Sequence, residues 1–203
     1  MRLFVAIFPP AGAVSHLKAT IDRMHLGRVS AAGRVVQLDP PELWHVTLAF
    51  LGEVAPQRVP EVESVLGGVA GAWASDHATR PPLALADGGR FGSGPSTVLW
   101  AGLHGDSASL RDLAGRVNTE LSRAGLMEMD RRPYRPHLTL ARCGDRLSAD
   151  EVADDLATLH AYAGPKWTVS ELVLVNSIAG PPRRYDRLTA WDLSVGQGEP
   201  ARP

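Results

Sequence analysis

One tetrapeptide occurs twice in this chain, as His45-Val46-Thr47-Leu48 and as His137-Leu138-Thr139-Leu140, 137 − 45 = 92 residues apart. With 7 His, 9 Thr and 25 Leu among 203 residues, composition alone gives about 0.04 such strings, so two copies mark a repeat rather than a coincidence. Side chains alternate between the two faces of a β-strand. Each copy therefore predicts a strand with His and Thr on one face and the apolar residue and Leu in a core on the other. Two histidines, each with a hydroxyl neighbour on its own face, imply a site assembled from two related halves.

The surrounding pattern alternates strands with helices. Leu3–Phe8 reads as a buried strand, stopped by Pro9-Pro10. Ala11–Leu26 reads as a helix on Val14, Leu17, Ile21 and Met24, broken by Gly27–Gly33. Val35–Leu38 and Trp44–Leu51 read as strands joined at Pro40-Pro41, and Pro56 to Trp73 as a second helix. Ala74–Pro82 reads as a loop. Leu83–Ala86 and Thr97–Leu103 are expected to pair, with Gly88–Pro95 as the loop between them. Ser107–Ala124 is the most regular helix, stopped by Gly125. Ser148–Ala161 opens on a Ser-Ala-Asp-Glu capping box. Strands are expected at His137–Ala141, Trp167–Ile178 and Leu188–Val195. Such an order predicts an α+β fold with two mostly antiparallel sheets and two lobes facing across a cleft. Residues 1–195 form one bilobal domain in this reading, and 196–203 a disordered tail.

Composition excludes several classes. A net charge of −1 argues against a sequence-blind duplex binder and confines any polyanion site to a local patch. Cys143 is the only cysteine, so neither an internal disulfide nor a cysteine-rich metal site is available. The apolar N-terminal run is too short to span a membrane and lacks a signal-peptide layout. A soluble monomer in a reducing cytoplasm is the expectation.

Two histidines on opposite sides of one phosphorus permit in-line displacement: one accepts a proton from water, the other gives one to the departing oxygen. Threonine hydroxyls can hold the non-bridging oxygens. Ring opening of a cyclic phosphodiester needs no more than this. Arg131, Arg132, Arg135 and Arg142 surround the second copy with no acidic residue between 131 and 142. Arg135 lies an even two residues before His137 and is expected on its face, with a planar fork suited to phosphate. Arg142 is a further candidate substrate contact, although at an odd offset it would point away in a flat strand. Arg131 and Arg132 read as a solvated face, and Arg183, Arg184 and Arg187 as a second basic cluster for a longer nucleic acid.

Blander assignments cover the rest. His16, His25, His77, His104 and His160 read as structural, and Trp44 and Trp100 as core. The glycine-rich 88–95 segment lacks the Lys-Ser/Thr of a phosphate loop. Two histidines without carboxylate or cysteine partners fall short of a catalytic zinc set, so neither metal nor cofactor is expected.

The stretches Met1–Ile7, Glu42–Glu53, Val98–Gly102 and Tyr134–Arg142 resemble the 2H phosphoesterase superfamily. Within it they are similar to the bacterial and archaeal RNA 2′,3′-cyclic phosphodiesterases, the 2′-5′ RNA ligase family, from about Arg2 to Leu193. The resemblance implies lobes related by pseudo-twofold symmetry with both histidines in a central cleft. It implies metal-independent hydrolysis of RNA 2′,3′-cyclic phosphate ends to 2′-phosphomonoesters. By that resemblance His45 is the proton donor to the 3′ oxygen, His137 is the proton acceptor that activates water, and Thr47 and Thr139 hold the phosphate. The substrate it implies is RNA with a 2′,3′-cyclic phosphate end, such as tRNA fragments or oligonucleotides, with nucleotides as further ligands. One departure is Asn176-Ser177 where family members often carry Glu-Ser; another is the unusual basicity of Gly180–Tyr185.

Two other readings use the same residues. A sister enzyme would act on small cyclic nucleotides, ADP-ribose cyclic phosphate or 2′-5′ linkages, 2′-5′ RNA ligation included. A nucleotide- or RNA-binding module would keep the pocket without turnover, although both histidines and both threonines are intact.

Overall fold

In the computed structural model, residues 1–31, 37–77, 79–143, 147–180 and 183–193 are described. Strand β1 (Arg2–Ile7) is buried on both faces. Leu3, Val5 and Ile7 enter the main core, while Phe4 and Ala6 join Val173 and Val175 in a small cluster on the opposite face. The strand is apolar at successive positions because neither of its faces meets water.

Helices α1 (Ala11–Ile21) and α2 (His25–Ala31) follow, then β2 (Gln37–Leu38), β3 (Val46–Glu53), α3 (Val59–Asp76), β4 (Pro82–Phe91) and β5 (Val98–Gly105). The remainder is α4 (Ser107–Arg123), β6 (His137–Arg142), α5 (Ala149–His160), β7 (Ala163–Thr168), β8 (Glu171–Ile178) and β9 (Arg184–Asp192). The strands pair antiparallel in the order β7-β4-β5-β6-β3-β1-β8-β9, with β2 beside β6. The two expected sheets are thus the two halves of one hydrogen-bonded path, joined where the motif strands β3 and β6 meet.

The sheet is curled. β7 lies at one edge and β8 next to the other, yet only Val169 and Ser170 separate them in sequence. Val169 N–H donates to the Pro81 carbonyl at 3.3 Å, and Leu193 N–H to Ser170 at 2.9 Å. Arg80 and Asp192 pair across the same seam at 2.7 Å. The run expected as one strand, Trp167–Ile178, is therefore two strands in different halves; its continuous apolar reading hides the crossing.

The succession β1, α1, β3, α3, β4 recurs as β5, α4, β6, α5, β8, and the two units are interleaved. β4 of the first unit lies beside β5, and β8 of the second lies beside β1. Likewise α1 packs on β4 and β7, whereas α4 packs on β3 and α3. Helix α4 buries Leu110, Leu113, Val117 and Leu121, the stripe its periodicity predicts. Asp106 caps it by accepting from Ser109 N–H at 3.1 Å. The capping box of α5 is formed in both directions: Ser148 N–H donates to Glu151 Oε2 at 2.8 Å, and Glu151 N–H to Ser148 Oγ at 3.2 Å.

Three further expectations are corrected. The helix expected over Ala11–Leu26 is two, and Gly27 lies inside the second rather than ending the first. A Cβ there would stand 2.2 Å from the Ile21 carbonyl oxygen, so glycine allows α2 to fold back onto α1. The buried Asp155 caps α2, accepting from His25 and Leu26 N–H at 2.8 and 2.9 Å. The expected loop at Gly88–Pro95 is strand as far as Phe91. Its glycines serve close packing: a Cβ on Gly89 would lie 2.4 Å from the Trp100 ring. β9 begins at Arg184, four residues earlier than its apolar pattern suggests, because its outer positions are charged. Residues 35–36, 194–195 and the expected tail at 196–203 lie outside the described residues.

Candidate active site

The four motif residues are gathered by a single pairing. Val46 and Leu138 are direct cross-strand partners, and both are fully buried. His45 and Thr47 flank one of them, and His137 and Thr139 the other. An antiparallel register extended from that pair sets His45 across from Thr139 and Thr47 across from His137. All four side chains thus share the face opposite the main core.

The histidines are held alike. His45 Nδ1 lies 2.6 Å from the Leu43 carbonyl and His137 Nδ1 2.7 Å from the Arg135 carbonyl. A carbonyl only accepts, so each Nδ1 is assigned the proton and donates it. Each Nε2 is left to accept a proton when the ring is neutral and to give one when it is charged.

The fourth motif residue has a role that alternation alone does not reveal. In β3 the register slips so that Val5 faces Ala49 and Ala6 faces Thr47, with Leu48 as the extra residue. In β6 it slips so that Leu99 faces Ala141 and Trp100 faces Thr139, with Leu140 extra. Both repeats therefore carry a β-bulge at the motif leucine, and the bulge shifts the parity of the two residues that follow it. Arg142, a candidate substrate contact whose odd offset would turn it away in a flat strand, is returned to the histidine side, where its charge acts on Asp39 and Tyr185. Phe50, its counterpart after Leu48, is exposed.

The two histidines have different walls. His45 is boxed by Phe4, Phe8 and Tyr185, with ring centroids at 4.8, 5.8 and 5.2 Å. Burial lowers its pKa below the ordinary histidine value; the Leu43 carbonyl opposes this, and the charges of His137 and Arg183 add to it. His137 meets the edge of Phe91 at 4.9 Å and Trp100 at 6.2 Å. Trp100, expected in the core, is only half-buried and walls the site on the bed left by Gly89. Trp44 is core, as expected, with its indole N–H donating to the Asp39 carbonyl at 2.7 Å.

Arg135 lies before the start of β6, so alternation does not fix its side chain; it is exposed, and its carbonyl is what grips His137. Arg183 pairs with Asp39 at 3.4 Å and hydrogen-bonds Tyr185. Asp39's carboxyl is pushed up by burial, against the pull of Arg183 and Arg142. Arg187 pairs with Glu171 at 2.5 Å and lies over the Phe8 ring, while Arg132 is turned to Asp130 at 2.8 Å on the surface. The aromatic wall and the Asp39–Arg183 pair escape sequence reading: Phe4 and Phe8 look like ordinary strand residues, and the pair is 144 positions apart. Among the described residues, no group of three or more His, Cys, Asp and Glu side chains is placed to hold a metal. No described helix is long and apolar enough to cross a membrane.

Two His–Thr strands meet here, and among the described residues neither histidine Nε2 has a hydrogen-bond partner, so the pair forms a candidate two-histidine site. The family model of the 2′-5′ RNA ligase superfamily matches residues 13–181, and the chain belongs to that family. It is 31% identical over 199 residues to the RNA 2′,3′-cyclic phosphodiesterase of Escherichia coli K12, covering 95% of this chain and 97% of that one. Among solved structures, E. coli LigT in its apo form aligns with a TM-score of 0.67 and 26% identity over 95% of this chain and 97% of that one. LigT complexed with 3′-AMP aligns at 0.63 and 25% identity over 95% and 96%.

Proposed function

We propose that this chain hydrolyses the 2′,3′-cyclic phosphate at RNA ends to a 2′-phosphomonoester, without a metal. One observation carries the reading: two histidines held through Nδ1 by the backbone, each with a threonine beside it, meet across one strand pair. His137 Nε2 takes a proton from water as the water oxygen bonds to phosphorus. The phosphorus–O3′ bond breaks, and His45 gives its Nε2 proton to the leaving 3′ oxygen. Thr47 and Thr139 hydroxyls donate to the non-bridging oxygens, and Arg142 and Arg135 balance their charge. The histidines end with their proton states exchanged and reset through solvent.

The walls support this division. Three rings around His45 favour the dry, leaving-group side, and the more open His137 suits the entry of water. Burial favours the neutral form of the free His45. The phosphodiester anion supplies the counter-charge it lacks, so the proton donor is charged as substrate binds. The 3′-AMP complex of its relative supports mononucleotides as further ligands.

The test is a short RNA with a 2′,3′-cyclic phosphate end, incubated in chelator, with the product's phosphate located by mass spectrometry and phosphatase mapping. A 2′-phosphate is expected. An intact ring, or activity only with added metal, overturns the reading; a 3′-phosphate overturns the direction of opening.

A further inference from the structure

The carbonyls that steer the two histidines are themselves held in different ways. Leu43, which steers His45, ends a 3₁₀ turn (Pro41–Leu43) closed by Leu43 N–H to the Pro40 carbonyl at 2.8 Å and Trp44 N–H to the Pro41 carbonyl at 3.2 Å. The Trp44 indole adds its bond to the Asp39 carbonyl at 2.7 Å. Arg135, which steers His137, lies between Pro133 and Pro136. Proline has no N–H to donate, and among the described residues no backbone–backbone hydrogen bond holds 127–136. A side chain anchors this segment instead. The Tyr134 hydroxyl donates to the Thr47 backbone carbonyl at 3.0 Å, and its ring packs on the main core. Burial raises the hydroxyl's pKa, so it stays a donor at neutral pH. The bond crosses the joint between the halves: Thr47 belongs to β3 and Tyr134 to the approach to β6, strands that meet at the pair Val46–Leu138. A path thus runs from the first motif to the second histidine, through the Thr47 carbonyl, the Tyr134 hydroxyl, the adjoining Arg135 carbonyl and His137 Nδ1.

We infer that Tyr134 is a positioning residue for the proposed reaction: its hydroxyl fixes the peptide whose carbonyl holds His137 in the Nδ1-protonated form, leaving Nε2 to take the proton from water. The inference rests on the reading of His137 as the base of that reaction. Without the bond, the Arg135 carbonyl loses its fixed place, and the neutral ring can carry its proton on either nitrogen. Only the Nδ1–H form presents Nε2 as a base.

The test is Tyr134→Phe, which removes one oxygen and keeps the ring. With RNA ending in a 2′,3′-cyclic phosphate, kcat and kcat/KM are expected to fall together by about tenfold, the scale of one neutral hydrogen bond. In ¹⁵N spectra of the neutral histidine rings, His137 is expected to move from the Nδ1–H form toward a mixture of the two forms, while His45 keeps its own. Tyr162→Phe is the control for losing a tyrosine hydroxyl as such: it breaks the 3.0 Å contact with His16 on α1 and should leave turnover and both motif imidazoles unchanged. An unchanged His137 spectrum in Tyr134→Phe, or equal losses of turnover in the two variants, overturns the inference. Should the native chain leave the cyclic end intact, the proposed reaction fails, and the spectra still decide whether Tyr134 positions His137: a shift confined to His137 upholds it, and no shift overturns it.

Discussion

The half around His45 and the half around His137 share a frame and differ in lining. Both hold the histidine by Nδ1 to a carbonyl two residues back, both place threonine two residues on, and both bulge at the motif leucine. What surrounds these backbone features has diverged. The His45 half is aromatic, with Phe4, Phe8, Tyr185 and the uncovered Phe50; the His137 half has Trp100, Phe91 and Arg142. The backbone repeats what the proposed chemistry needs twice, a steered imidazole and a hydroxyl on the same face. Side chains differ where two equivalent positions must act in opposite senses.

The largest effect should come from the shared frame. His45→Ala and His137→Ala are each expected to cost about 10³–10⁴ in kcat, and the double variant little more, because the pair works as a unit. Substantial turnover in either single variant, with the fold intact by circular dichroism, would remove that histidine from the mechanism. Next come Thr47→Ala and Thr139→Ala, each expected to lose about 2–4 kcal/mol of transition-state stabilisation. A loss confined to KM would instead make them ground-state contacts.

Gly89→Ala tests the His137 lining alone. Its Cβ would push the Trp100 ring away, which should cost about 1–3 kcal/mol in thermal or chemical unfolding and lower turnover by disturbing the wall of His137. Gly68→Ala, on α3 with nothing within 4 Å, should stabilise by up to about 1 kcal/mol. Equal behaviour of the two would show that Trp100 yields freely.

The smallest effect is electrostatic and belongs to the His45 half. A proton donor works only while protonated, so activity falls as pH rises through its pKa. That pKa is lowered in the free protein, so the alkaline limb should lie lower in kcat/KM, which reports free enzyme, than in kcat, which reports the complex. Arg183→Gln removes one cause of the lowering and should move the kcat/KM limb upward by about half a pH unit or less. Coincident limbs in the native chain, or a downward move in the variant, would mean that His45 does not titrate there.

Much of this was legible in the sequence. The His-x-Thr-Leu repeat exposes the two halves and the four central residues, and Ser148 with Glu151 spells out its own cap. Short-range signals survive because their partners lie within a few residues. Parity past the motif does not survive: Leu48 and Leu140 look like ordinary core leucines, and only the pairing partner shows that each is an extra residue. Gly88 and Gly89 read as a turn because glycine marks turns and tight packing alike, and the ring that needs the space is Trp100 on another strand. Asp39 and Arg183 meet only because the sheet curls.

Interleaving of the two five-element units has a consequence for how this protein comes into being. Neither unit owns a complete hydrophobic layer: the first gives α1 and β4 away, and the second gives α4 and β8. A ribosome that has delivered only the first unit has made a chain with one of the two motif histidines and core surfaces awaiting partners that are not yet synthesised. The two motif histidines come together only once β6 has been made and can pair with β3. In the proposed reaction, turnover therefore begins no earlier than that pairing and can serve as a clock for it.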